Sequence, residues 1–311
     1  MPVIGSSLRL GTRGSPLALA QAHELRQRLA GARIVAESEV EIVVIRTSGD
    51  RITDRSLAEA GGKGLFTKEL DEALLDGRID IAVHSAKDLP TLLPQGIGIA
   101  GYLPREDARD ALIAPRFGGL DKLPPGALIG TASVRREAQL RRLRPDLAVR
   151  LLRGNVDTRL RKLAEGECDA TLLALAGLKR LGREAEATEI LDVARFIPAV
   201  GQGAIALTTR AEDARLVSRL ATVLDVPTER SLAAERAFLK ELDGSCRTPI
   251  AGHAVLSGAR LRFRGLALKQ DGTNAVEVAR EGVAEEAEKL GADAAAELLA
   301  RLPPGILAAR G

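Results

Sequence analysis

Cys246 lies in Asp243-Gly244-Ser245-Cys246-Arg247-Thr248-Pro249-Ile250, a Gly/Ser/Pro-flanked turn between a helical run and a β-rich tail. A turn cysteine beside basic residues can present a thiolate to an electrophile, which a buried one cannot. Taken alone, its ordinary reading is an unreactive, partly buried thiol. A second candidate is His84-Ser85-Ala86-Lys87-Asp88-Leu89-Pro90, directly after the apolar run Ile79–Val83. Its polar groups therefore sit at a strand's carboxyl end, where catalytic groups gather. Asp88 could transfer a proton or steady a cation, and Lys87 could neutralise an acid or a carboxylate. The plain alternative is a turn Asp before Leu-Pro, with a solvated Lys. His84 reads equally as catalytic or structural.

Basic residues collect at expected helix starts. Arg13 precedes the Ser15 cap, Thr131-Ala132-Ser133-Val134-Arg135-Arg136 follows one strand, and Arg153-Gly154-Asn155-Val156-Asp157-Thr158-Arg159 follows the next. From Thr131 to Arg161 there are nine Arg and three acids, a local balance of +6. Unpaired N–H groups and the partial positive charge of a helix N-terminus, reinforced by Arg, make an anion pocket. Arg141, Arg142 and Arg144 lie too far beyond the helix start and read as a solvated face. Three histidines, with neither HExxH nor CxxC, give no metal site. Gly61-Gly62-Lys63-Gly64 lacks the spacing of a phosphate loop and reads as a hinge opening the Phe66 helix.

The elements that must position these residues alternate in the α/β manner. Strands are expected at Leu8–Gly11, Glu41–Ile45, Ile79–Val83, Ile97–Ala100, Leu128–Gly130, Ala148–Leu152, Ala170–Leu173 and Ala204–Leu207. Helices are expected at Pro16–Leu29, Phe66–Leu75, Val134–Leu143, Val156–Ala164 and Ala214–Leu224. Ser15-Pro16 is a helix start by cap and first-position preference. Thr47–Gly64, polar and without periodicity, reads as a mobile loop. From Thr228 the pattern changes to a helix (Thr228–Leu242), strands near Ile250–Val255, Leu261–Leu268 and Ala275–Arg280, and a helix over Ala284–Leu299. That is a separate small α+β domain.

The 311 residues allow two or three domains, and the 45% hydrophobic and 28% charged content is that of a globular protein. A net charge of +3 and 2% aromatic content, with no Trp, argue against nucleic acid, which needs stacking platforms. No apolar run reaches a membrane span and no signal-peptide core follows Met1, so a cytoplasmic location is expected. Cys168 and Cys246 form no disulfide framework. Of 45 basic residues 36 are Arg, whose forks grip carboxylates bidentately, although base composition also favours Arg.

The ordered set of segments resembles the porphobilinogen deaminase family. The matching runs are Leu10-Gly11-Thr12-Arg13-Gly14-Ser15-Pro16-Leu17-Ala18-Leu19, Gly61-Gly62-Lys63-Gly64-Leu65-Phe66 and Ile81-Ala82-Val83-His84-Ser85-Ala86-Lys87-Asp88-Leu89-Pro90. They continue through Gly130-Thr131-Ala132-Ser133-Val134-Arg135-Arg136, Leu152–Leu160, Leu175–Leu181, Pro198–Ala204 and the Cys246 turn. The resemblance implies an α/β fold of two periplasmic-binding-protein-like lobes plus a small C-terminal α+β domain. Lobe 1 would be residues 1–103 and 199–224, lobe 2 residues 104–198, and the cysteine domain residues 225–311. It implies Cys246 as attachment point of a dipyrromethane cofactor by thioether, and Asp88 as the catalytic carboxylate. Arg13, Ser15, Phe66, Ser85, Lys87, Thr131, Ser133, Arg135, Arg136, Arg153, Arg159, Arg180 and Gln202 would hold cofactor and substrate, with no metal.

The implied activity is that of a hydroxymethylbilane synthase, a transferase of tetrapyrrole and heme biosynthesis. It would be a cytoplasmic monomer taking porphobilinogen, with neither nucleic acid nor membrane as partner. The alternative is a non-catalytic solute-binding or sensor module for a carboxylated ligand, because two-lobed α/β folds host both. That alternative gives no reason for Cys246, Asp88 and a third domain to coexist.

Overall fold

The apolar run at the N-terminus forms β1 (Leu8–Thr12), and the Ser15-Pro16 signal starts α1 (Pro16–Gly31). The Ser15 hydroxyl accepts the Ala18 N–H at 3.3 Å, while Pro16 fills the position whose N–H has no helical partner. Then follow β2 (Val40–Val44), α2 (Ser48–Arg51), α3 (Lys68–Leu75), β3 (Ile81–Ser85) and β4 (Ile97–Tyr102). Next come β5 (Asp110–Ile113), β6 (Leu128–Gly130), α4 (Val134–Leu143), β7 (Ala148–Arg150), α5 (Val156–Ala164), β8 (Ala170–Ala174), α6 (Leu175–Arg180) and β9 (Glu189–Ile190). The chain goes on through β10 (Ile205–Arg210), α7 (Ala214–Leu220) and α8 (Val226–Glu241). It finishes with β11 (Ile250–Ser257), β12 (Arg260–Ala267), β13 (Val276–Val283) and α9 (Ala287–Arg301).

This computed structural model describes residues 7–51, 64–242, 248–303 and 306. One compact unit holds the described residues of Met1–Ile52, Gly62–Arg105 and Ala204–Glu229; another holds those of Glu106–Gly203 and Arg230–Gly311. In the first unit the sheet order is β2-β1-β3-β10-β4, with β1 parallel to β2 and β3, and β10 antiparallel to both its neighbours. In the second, β7-β6-β8-β5-β9 repeats the plan: β6 is parallel to β7 and β8, and β5 is antiparallel to β8 and β9. These are two α/β lobes of one topology, the architecture expected from the sequence.

Helices cover both faces of each lobe sheet, which is why the parallel strands read as continuous apolar runs. On one face of the first sheet Leu10, Ile81 and Val83 pack against Leu25 and Leu29 of α1; elsewhere Ile79 and Ala82 meet Leu70 and Leu74 of α3. In the second sheet Ile129 and Leu172 meet Leu140 of α4, while Leu173 meets Leu160 and Leu163 of α5. The antiparallel sheet β11-β12-β13 has its own core, in which Phe238 of α8, Phe263, Val278 and Leu298 of α9 are buried. A Cβ on Gly291 would lie 2.0 Å from the Ala234 carbonyl oxygen, so α8 and α9 meet backbone to backbone there. Fully buried Glu235 accepts the N–H of Gly201 at 2.7 Å and of Ala254 at 2.8 Å, pinning the Pro198–Gly203 break to β11.

Some elements differ from the sequence reading. β3 runs on through His84 and Ser85, because His84 Nε2 finds Thr208 Oγ1 of β10 at 3.0 Å and needs no solvent. β5, β9 and α6 were not expected, and α3 starts at Lys68 rather than Phe66. Of the expected loop Thr47–Gly64, Ser48–Arg51 is helical, and residues 52–63 lie outside the described residues, as does Cys246. Among the described residues no helix is long and apolar enough to cross a membrane.

Candidate active site

In the first unit the candidates sit where parallel strands end. β1 delivers Arg13 and Ser15, and β3 delivers a tight helical turn, Ala86–Asp88, fixed by the Ala86 N–H donating to the Ala204 carbonyl at 3.0 Å. Arg13 is the hub: its Nη1 lies 3.6 Å from Asp88 Oδ2, and its guanidinium stacks 4.1 Å from the Phe66 ring centroid. The Phe66 ring lies so close to Gly49 that a Cβ there would be 2.4 Å from it. The Asp88 side chain keeps 30% of its surface open, so its carboxyl group is partly buried yet reachable. Lys87 is half-buried in the same turn. The Ser85 hydroxyl accepts the buried Gln21 amide at 2.9 Å, which ties α1 to the end of β3. Burial, helped by the nearby Arg13 charge, pushes His84 down to about 4, so it stays neutral near pH 7 and supplies no proton. That resolves the His84 alternatives in favour of structure.

In the second unit the same edge of the sheet is basic. After β6, the buried Thr131 hydroxyl accepts the Ser133 N–H at 3.2 Å, and Ser133 caps α4. After β7, Arg153 precedes Gly154, whose φ of 125° a side chain would strain, and Asn155 caps α5 by accepting the Thr158 N–H at 2.8 Å. Arg159 Nε donates to the Gly154 carbonyl at 2.9 Å, and Arg180, at the end of α6, donates to the Gly203 carbonyl at 3.0 Å. Fully buried Gln202 donates to the Ala108 carbonyl at 2.7 Å.

Arg135 and Arg136 are each only 5% exposed and share a carboxylate that the sequence reading missed, Asp110 at the start of β5. Asp110 Oδ2 takes Arg135 Nη1 at 2.8 Å, and Oδ1 takes Arg136 Nε at 2.8 Å. Arg135 also donates to the Ile197 carbonyl and Arg136 to the Leu172 carbonyl, at 2.9 and 2.8 Å. Burial alone would raise the Asp110 carboxyl; the two guanidiniums overcome it and hold it far below the usual carboxylate range. Two cations against one anion leave a net positive charge at a helix start. One donor, Arg135 Nε, is buried with no hydrogen-bond partner. Together these groups can hold a polycarboxylated ligand, whereas no cluster of His, Cys, Asp or Glu among the described residues could hold a metal.

Asp71, on α3, is 4% exposed, and burial lifts its pKa from 3.8 to about 6; the nearby Thr67 hydroxyl opposes this and Glu72 adds to it. The folded chain thus keeps this proton up to about pH 6, whereas the unfolded chain loses it near pH 4. Stability therefore falls as the pH rises through that interval, and the penalty is fully present above it. Asp71→Asn should raise the melting temperature at pH 7.5 by a few degrees and leave it nearly unchanged at pH 4.5, as read by calorimetry at roughly 2–4 °C per kcal/mol. Equal shifts at both pH values would remove the buried charge as the cause.

Residues 8–218 match the family model for the porphobilinogen deaminase dipyromethane cofactor binding domain, and residues 230–300 that for the porphobilinogen deaminase C-terminal domain. A porphobilinogen deaminase of Nitrobacter winogradskyi is 59% identical over 292 residues, covering 94% of this chain and 92% of that one. One of Nitrobacter hamburgensis is 58% identical over 292 residues, with the same coverage of 94% and 92%. Among solved structures, a Salmonella typhimurium periplasmic binding protein described as highly specific for arginine aligns with a TM-score of 0.39 at 11% identity, over 70% of this chain and 92% of that one. That likeness is too remote to add to the family match.

Proposed function

Because the chain belongs to the porphobilinogen deaminase family, we propose that Asp88, Cys246 and the basic groups at the strand ends of both units are its working residues. The enzyme, a hydroxymethylbilane synthase, joins four porphobilinogen molecules head to tail, with loss of ammonia at each addition. The additions build on a dipyrromethane primer, and the product is the linear tetrapyrrole hydroxymethylbilane. The family match favours this transferase of heme and tetrapyrrole biosynthesis over a non-catalytic solute-binding or sensor module.

The observation that carries the residue assignment is the shared position: an acid–arginine pair after β1 and β3, and arginines after β6 and β7, each following the carboxyl end of a parallel strand. Each porphobilinogen brings an acetate and a propionate, so the growing product gathers carboxylates that Arg forks suit. Arg135, Arg136, Arg153, Arg159 and Arg180 hold these carboxylates, helped by Thr131, Ser133 and Lys87. Gln202, fully buried with its amide on the Ala108 carbonyl, supports the scaffold and does not face the ligand. The unspent buried N–H of Arg135 and the net positive charge around Asp110 fit a carboxylated cofactor. When bound in thioether linkage to Cys246, the dipyrromethane supplies the carbon onto which substrate is joined.

Asp88 works on the incoming substrate. As ammonia departs, positive charge spreads through the pyrrole, and a fixed carboxylate beside it lowers the energy of that state. Asp88 takes the proton released at the new carbon–carbon junction and delivers it to the amine that departs in the next addition, so one proton cycles per round. Arg13, steadied on Phe66, holds Asp88 in position; Ser15 and Ser85 fix the ends of the elements that carry them. We further propose a cytoplasmic monomer with porphobilinogen as its small-molecule partner and no nucleic acid or membrane. A 2% aromatic content and a net charge of +3 support the lack of a nucleic-acid partner.

Intact-mass measurement on protein made in a porphobilinogen-producing host tests the cysteine. The wild type should carry a covalent dipyrromethane and Cys246→Ser should carry none. An adduct that survives in Cys246→Ser, or a wild type with bare mass and no bilane formed from porphobilinogen, would sink the assignment.

A further inference from the structure

Among the described residues five buried side-chain polar atoms lack a hydrogen-bond partner, and three of them fall within one helical turn: Thr67 Oγ1, Glu69 Oε2 and Asp71 Oδ1. Chance does not cluster such atoms, because each buried polar group left unsatisfied costs stability. Thr67 and Asp71 are 1% and 4% exposed, and both line an open cavity of about 420 Å³ in the first unit. Its other walls are apolar: Leu75 and Leu92, 50% and 64% exposed, with Leu93, Pro90 and Pro94. At the rim Lys68 and Glu72 lie 4.0 Å apart and offset each other's charge, so the buried Asp71 carboxylate sets the sign of the floor.

The Thr67 hydroxyl can turn its hydrogen toward Asp71, whose pKa it lowers. The carboxylate and the hydroxyl still keep acceptor lone pairs that call for N–H donors, and the charge calls for a cation. Bare metal ions fit poorly, since the cavity offers one carboxylate oxygen, one hydroxyl and a hydrocarbon wall rather than an oxygen cage. A primary ammonium carries three donors on one positive centre, enough to serve Asp71 Oδ1 and Thr67 Oγ1 together, and its alkyl chain can lie on the leucines. We propose that the cavity between α3 and the Pro90–Pro94 segment is an accessory site for a primary ammonium group, held by Asp71 and Thr67. This inference rests on the geometry of the cavity and not on the assigned reaction. Two sources share the chemistry, free ammonium such as the reaction releases and an alkylammonium compound, and the apolar walls favour the second.

Saturation-transfer NMR and thermal melting of the cofactor-bearing protein at constant ionic strength test it with three probes: propylammonium, ammonium and tetramethylammonium chloride. Propylammonium should saturate the site and raise the melting temperature, with ammonium needing roughly tenfold higher concentration because it forgoes the hydrocarbon contact. Tetramethylammonium, which has no N–H, should do neither. Asp71→Asn should lose the propylammonium response while melting no lower than wild type, and Thr67→Val should weaken the response several-fold. Equal response to ammonium and propylammonium keeps the site and names free ammonium as its occupant. The proposal is overturned if tetramethylammonium acts like propylammonium, if both variants respond like wild type, or if no probe binds. Binding is read here without turnover, so its failure leaves the deaminase assignment standing.

Discussion

Asp88→Asn keeps the covalent dipyrromethane in intact mass, yet its kcat for bilane formation drops by roughly 10²–10⁴-fold, the range for losing a positioned acid/base that also stabilises charge. Asparagine keeps the size and one acceptor oxygen, so the turn Ala86–Asp88 and the Arg13–Phe66 stack stay intact. What it removes is the negative charge 3.6 Å from Arg13 and the titratable proton. A residue that only bound substrate would raise KM and spare kcat; this one should do the reverse. Asp88→Glu, which restores charge at a displaced position, should recover part of kcat. Normal kcat in Asp88→Asn, with the adduct present, would remove Asp88 from its role and leave Arg13 as a simple carboxylate ligand.

The parts of this site that the sequence made legible are those set by neighbours along the chain. β6, α4 and α5 have the bounds expected, because a Ser or Asn cap and a leucine period fix both ends locally. What could not be read depends on partners far away. β5 is four residues long, begins with a buried acid and becomes a strand only by pairing with β8 and β9. For the same reason the +6 balance from Thr131 to Arg161 overstated the free charge: Asp110, 25 residues before Arg135, takes up part of it. His84 belongs to a strand because Thr208, 124 residues on, satisfies it. The one available hint for Asp110 was an acid placed directly before the apolar run Ala111–Ile113. Such an acid either breaks the strand or is neutralised by a long-range cation.

Asp110→Ala should be the most damaging single change in the second unit, lowering stability by about 3–5 kcal/mol in denaturant titration, since it strands two buried guanidiniums without a counter-ion. The sign with pH follows from its depressed pKa. Its contribution is complete above the ordinary carboxylate range and is lost only as the pH falls toward its folded value, so the loss should be constant between pH 5 and 8. Instability alone would not separate scaffold from site. Replacing the whole triad with apolar residues (Asp110→Leu, Arg135→Met, Arg136→Leu) does, because a buried ion cluster exchanged for hydrocarbon is often neutral or stabilising. The triple variant should regain most of the lost stability and still fail to retain the dipyrromethane, because the arginines proposed to hold its carboxylates are gone. If it folds well and loads cofactor as wild type does, Arg135 and Arg136 belong to the scaffold alone, and the anion-holding charge must reside in Arg153, Arg159 and Arg180.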